Sequence, residues 1–120
     1  MLSVSREVYM YEPFLPRRAL YVSLLNRLGF KANTITNIDL IPNTSGGSLH
    51  LVVSLPEAVV EREKIMERIA SFSDSVSIFV LDACAYELKD FIRVQPARHM
   101  QRRESSLREL EIGLREFLGA

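Results

Sequence analysis

The chain has 120 residues, with fifteen basic and fifteen acidic side chains, 48% hydrophobic and 25% charged residues. That is the composition of one soluble domain, or one domain with a short appendage, and it excludes a disordered or fibrous chain. A formal net charge of zero provides no global field for nucleic acid or an anionic membrane, and one cysteine, Cys84, excludes an internal disulfide framework.

Met1 to Tyr11 lacks the basic leader and apolar stretch of a signal peptide, and no apolar run approaches a membrane span, so a cytoplasmic protein is expected. Glu7 to Tyr11 is a strand in which Val8 and Met10 share one face and Tyr9 and Tyr11 the other. Pro13 and Pro16 force a loop, with Pro16 suited to the start of a helix. Tyr21, Leu24, Leu25 and Leu28 recur at helical spacing, and Gly29 closes that helix. Lys31 to Ile41 alternates between apolar or β-branched and polar residues, which predicts a strand with one wet face. Pro42 to Gly47 is a loop by composition, so Ser48 to Ser54 is expected to return antiparallel as a hairpin.

Ser54-Leu55-Pro56-Glu57 matches a capping box at the head of a second helix, Pro56 to Ala70, with Val59, Ile65, Met66 and Ile69 on its inner face. Val76 to Leu81 is apolar at nearly every position, as in a strand covered on both faces, and its second face is expected to meet the C-terminal segment or another subunit. Beyond Asp82, Phe91 to Val94 forms a short candidate strand, and Ala97 to Arg103 is polar and basic. Ser106-Leu107-Arg108-Glu109 opens a helix carrying Leu107, Leu110, Leu114 and Phe117. The order β-α-β-β-α-β predicts an α+β, ferredoxin-like antiparallel sheet with two helices on one face, spanning residues 1–84, with residues 85–120 as a strand and helix extension.

No catalytic or metal-binding constellation is visible. His50 and His99 lie on separate elements without ligand-spaced partners, and Cys84 has no activating neighbour. An RNA-binding sheet needs stacking aromatics on its central strands; Tyr9 and Tyr11 are present on the first strand, but Ser48 to Val53 contributes none, so no nucleic-acid partner is expected. Arg17 and Arg18 stand out because they occupy the first turn of a helix, where the macrodipole disfavours cations by about 0.3–1 kcal/mol. A compensating anion would account for them, either a carboxylate ligand or an acidic side chain across an interface; two solvated arginines are the plainer account.

Glu12-Pro13, Leu24 to Phe30, Ser45 to Val53, Ile78 to Asp82 and Phe91 to Val94 together resemble an ACT domain, in particular the small regulatory subunit of acetolactate synthase. The resemblance implies a non-catalytic homodimer, without a cofactor, that binds valine or another branched-chain amino acid and modulates a catalytic synthase subunit. Its ligand-binding positions would be Phe14, Leu15, Arg17 and Arg18 in the first loop and Lys31 and Asn33 at the start of the second strand. The family's Pro-Gly in this loop is replaced by Pro13-Phe14-Leu15-Pro16, and its asparagine after Gly-Phe by Lys31, with Asn33 two residues on. Two other readings are an interaction module docking through the Leu107 to Leu118 helix without a small ligand, and a small dimeric ferredoxin-like enzyme. The enzyme would need a convergent acid or base, such as a buried His50 beside an open cavity.

Overall fold

In the computed structural model, strand β1 (Glu7–Tyr11) lies between β2 (Lys31–Ile35) and β3 (Leu49–Ser54), with β4 (Val76–Asp82) and β5 (His99–Arg102) completing a five-stranded sheet in the order β2-β1-β3-β4-β5. Every pairing is parallel. Helix α1 (Leu15–Arg27) joins β1 to β2, α2 (Val59–Ala70) joins β3 to β4, and α3 (Leu107–Leu118) follows β5. The structure describes residues 7–40, 49–72, 76–82, 99–102 and 106–119, with the backbone alone at residue 82 and residues 99–102.

This corrects the expected antiparallel ferredoxin-like sheet with both helices on one face. The error lies in the length given to β2. Regular pairing stops at Ile35, and Ile38–Leu40 winds into a 3-10 turn instead of continuing the strand. Residues 36–48 then separate β2 from β3, enough chain for the crossover that parallel strands require, where a tight hairpin loop was expected. β3 therefore lands on the far side of β1. The chain winds one way from β1 to β2 and the other way from β3 to β4. Right-handed crossovers in opposite directions put α1 and α2 on opposite faces.

The side chains follow from this. Leu49, Leu51 and Val53 of β3 and Val76, Ile78 and Val80 of β4 pack with Ile65 and Ile69 of α2. The alternate residues Val52, Phe79 and Leu81 face the other way, joining Val8 and Met10 of β1, Tyr21, Leu24 and Leu25 of α1, and Leu110, Leu114 and Phe117 of α3. Burial on both faces explains the nearly unbroken apolar runs of β3 and β4. The expected covering of the Val76 to Leu81 strand by the C-terminal segment is met by α3, whose Phe117 ring stacks on Phe79 with centroids 5.4 Å apart. The sheet and this second core cluster both run across position 84.

The helix ends show local chemistry at work. Gly29, at φ 93°, takes the left-handed position after α1. Its N–H donates to the Asn26 carbonyl and the Phe30 N–H to that of Leu25, both at 3.0 Å, which is the Schellman pattern. Ser106 caps α3 by accepting from the Glu109 N–H at 3.1 Å, as its motif predicts. Ser54 does not cap α2: that helix starts at Val59 after Ala58, with no side-chain cap. The expected Phe91 to Val94 strand, the Pro42 to Gly47 loop and Cys84 lie outside the described residues. Among the described residues, no helix is long and apolar enough to cross a membrane.

Candidate functional site

A parallel sheet of this kind has one privileged place. Where the winding direction reverses, here between β1 and β3, the two following helices diverge and leave a crevice at the carboxyl ends of the strands. The register ends with Tyr11 opposite Val53, so the next residues, Glu12 and Ser54, meet at that crevice. Glu12 is fully buried, 0% exposed. Its Oε1 accepts from Ser54 Oγ at 2.6 Å and from Arg17 Nε at 3.1 Å, and its Oε2 accepts from the Phe14 N–H at 2.9 Å.

These contacts have a local origin. Pro13 turns the chain sharply after β1, which brings the Phe14 amide within reach of a carboxylate two residues back, a side-chain-to-backbone turn. Arg17 is in the first turn of α1, with its guanidinium carbon 4.5 Å from the centroid of the Phe14 ring. The 2.6 Å hydroxyl contact lies at the short end of the O–H···O range. Among the described residues, Glu12 thus brings a carboxylate to this crevice, where a hydroxyl, a backbone amide and a guanidinium bond to it.

Tyr11 borders the same region. Burial chiefly, and then the charges of Glu61 and Glu12, push its phenol above the ordinary value, so it stays neutral and a donor at physiological pH. A groove of about 660 Å³ opens beside it, between the 3-10 turn and α2, lined by Asn37, Asp39, Glu61, Lys64 and Arg68 among others. Its cations and anions are mixed, and Arg68 is tied to Asp39 at 3.2 Å. His50 is half-buried and meets the Phe117 ring edge-on at 5.4 Å; burial lowers its pKa, as expected of a packed core imidazole.

The six positions singled out in the sequence separate into two groups. Phe14, Leu15, Arg17 and Arg18 lie together at the start of α1, just beyond the carboxyl end of β1, and of these Phe14 and Arg17 contact Glu12. Lys31 and Asn33 belong to the opening half of β2, opposite Glu7 and Tyr9 in register, and Asn33 Nδ2 donates to Glu7 Oε1 at 3.0 Å. In a parallel pair the start of β2 lies beside the start of β1, roughly 13 Å from its end at 3.3 Å per residue. The two groups do not form one pocket. The anion sought for Arg17 is Glu12 of its own chain. Glu12 and Ser54 were the residues missed, although one is the polar residue just after β1 and the other the polar last residue of β3, strands that turn out to be neighbours.

Two solved structures share this architecture. The receiver domain of the sensor histidine kinase PA1611 from Pseudomonas aeruginosa PAO1, with a magnesium ion coordinated in its active site cleft, superposes with a TM-score of 0.69 at 12% identity, covering 98% of this chain and 100% of that one. The regulatory domain of the master biofilm regulator CsgD gives 0.67 at 14% identity, covering 94% and 87%. No protein-family profile matches the sequence, and no curated protein is significantly similar to it. At such identity the likeness establishes the fold, a receiver-like α/β domain with a parallel sheet. It overturns the ACT resemblance, and with it the amino-acid-sensing subunit of acetolactate synthase; the expected effector and synthase partner drew on that resemblance alone.

The described residues of this crevice do not fit a magnesium ion. Magnesium takes octahedral oxygen donors, usually one or two carboxylates with several waters. Here both oxygens of the buried carboxylate are already hydrogen-bonded, and a guanidinium stands where a second cation would be repelled. No group of three or more histidine, cysteine or acidic residues capable of holding a metal occurs among the described residues.

Proposed function

We propose that this chain is a receiver-like regulatory domain that is not an enzyme and acts by presenting a surface to a protein partner. The observation that carries the reading is the engagement of both Glu12 oxygens, Oε1 by Arg17 and Ser54 and Oε2 by the Phe14 amide. At the switch point, where this architecture places its ligands, the charge is neutralised by the chain itself. A carboxylate already paired with a guanidinium and a hydroxyl serves poorly as a metal ligand and as a general base, because a metal ion or proton has to compete with the donors it already holds. What remains serviceable is the exterior around it, where Phe14, Leu15, Val59 and Val60 are exposed at the starts of α1 and α2. A cytoplasmic setting belongs to the same proposal and is supported by the lone cysteine.

Thermal unfolding with and without 10 mM magnesium chloride tests this. An ion bound to the native state with a Kd of about 1 mM would add about 1.4 kcal/mol at that concentration. For a domain of this size that raises Tm by roughly 5 °C or more. The expected result is no shift beyond the effect of matched ionic strength. Sedimentation in the same buffers reports whether the partner is a second copy of this chain, as a homodimer requires.

A further inference from the structure

Arg17 is held at two points and open at a third. Its Nε–H donates to Glu12 and its plane is fixed against Phe14, while 39% of the side chain stays exposed. A guanidinium has five N–H donors in a rigid fork. One is used on Glu12, and the four on Nη1 and Nη2 have no hydrogen-bond partner among the described residues. An incoming group thus meets an arginine already oriented, with little side-chain freedom left to lose.

The surroundings narrow the chemistry of that group. Phe14, 49% exposed, stands beside the fork, and Leu15, 63% exposed, follows it at the start of α1. The first turn of α1 contains no acidic residue, and the adjacent Arg18 has no ion-pair partner among the described residues. The first turn of α1 thus presents Arg18 and the free Nη groups of Arg17, with no acid of its own, beside exposed apolar area. Charge complementarity then calls for a carboxylate, and the apolar neighbours call for hydrophobic side chains next to it.

We propose that this surface docks an acidic segment of a partner protein, its carboxylate received in bidentate fashion by Arg17 Nη1 and Nη2 and its flanking apolar side chains by Phe14 and Leu15. The proposal rests on reading the chain as a non-catalytic docking domain.

Selection of random dodecapeptides on the full chain, followed by fluorescence anisotropy with the enriched peptide and its counterpart carrying Gln or Asn for Glu or Asp, tests it. The expected consensus is an acidic residue between apolar ones, with the amide counterpart bound at least tenfold more weakly. Arg17→Lys keeps the charge but removes the fork. It should weaken the acidic peptide tenfold or more and leave the amide peptide unchanged, while Arg68→Ala alters neither. Should Arg17→Lys fail to fold by circular dichroism, Leu15→Ser leaves the Glu12 contacts in place and should weaken the acidic peptide severalfold. An acid-free consensus, equal binding of the amide peptide, indifference to these variants, or self-association that excludes the peptide would overturn the proposal. Stabilisation of the wild type by magnesium would overturn the underlying reading instead. A chain silent to magnesium whose peptides lack an acid removes this proposal alone.

Discussion

Glu12 shows how one side chain can set the character of a whole crevice. A buried carboxylate is costly without compensation, and removing one partner of a buried ion pair typically costs about 3–5 kcal/mol. Arg17 is partly exposed, so water softens the loss, and about 2 kcal/mol is expected for Arg17→Ala by urea denaturation. Adding Glu12→Gln should recover part of that, because a neutral amide no longer needs a cation; a double mutant as unstable as the sum of its singles would contradict the coupling. His50 supplies a pH signature. Burial holds its folded pKa below 6.5, so the unfolded chain binds more protons in the window just under that value. Stability is therefore complete above about 6.5 and declines as the pH falls toward the folded pKa. His50→Gln should flatten the difference over that window in a Tm series from pH 8 to 5.5. At this scale the sequence exposed the anomaly, two cations at a helix start, but not its resolution. The partner lay five residues back across a proline turn, and its hydroxyl neighbour lay on a strand that only the tertiary register brings alongside.

The elements were legible to the extent that their signals were local. Gly29, Ser106 and the spacing of Leu110, Leu114 and Phe117 each encode their outcome within a few residues, and each is realised. Ser54-x-x-Glu57 and Ser106-x-x-Glu109 carry the same motif with different results. Ser106 caps its helix, whereas Ser54 ends a buried strand and is drawn to Glu12. Substitution separates the two roles. Ser106→Ala should cost about 1 kcal/mol and lower helical ellipticity, as loss of an N-cap does. Ser54→Ala should leave helicity unchanged and lower stability by about 1–2 kcal/mol through the hydrogen bond withdrawn from a buried charge. Equal effects on ellipticity would contradict the assignment. β5 was missed because His99 to Arg102 lacks the β-branched pattern of a strand; it sits at the edge of the sheet, where β-propensity is weakest as a guide.

For the whole molecule, the order of elements was recoverable but their arrangement was not. Strand–helix–strand followed by strand–helix–strand is compatible with an antiparallel layer or with a doubly wound parallel one. The choice turns on whether the chain between β2 and β3 is a turn or a crossover. That depended on where a polar alternating strand ends, and Thr36 and Asn37 continue the alternation past the real boundary at Ile35. Hydrogen exchange offers a direct check on the parallel order. Amides of Leu51, Val52 and Val53, flanked by β1 and β4, should exchange most slowly, and those of β2 at the edge well before them. An antiparallel β2–β3 hairpin would protect the two strands alike.

The central position of β1 has a further consequence during synthesis. Of the five strands of this sheet, the one made earliest is the one whose two flanks are filled by segments made later, the second of them only once residue 54 has emerged. Until then a nascent chain carries an apolar ribbon with an open edge, the kind of surface that chaperones bind and aggregates recruit.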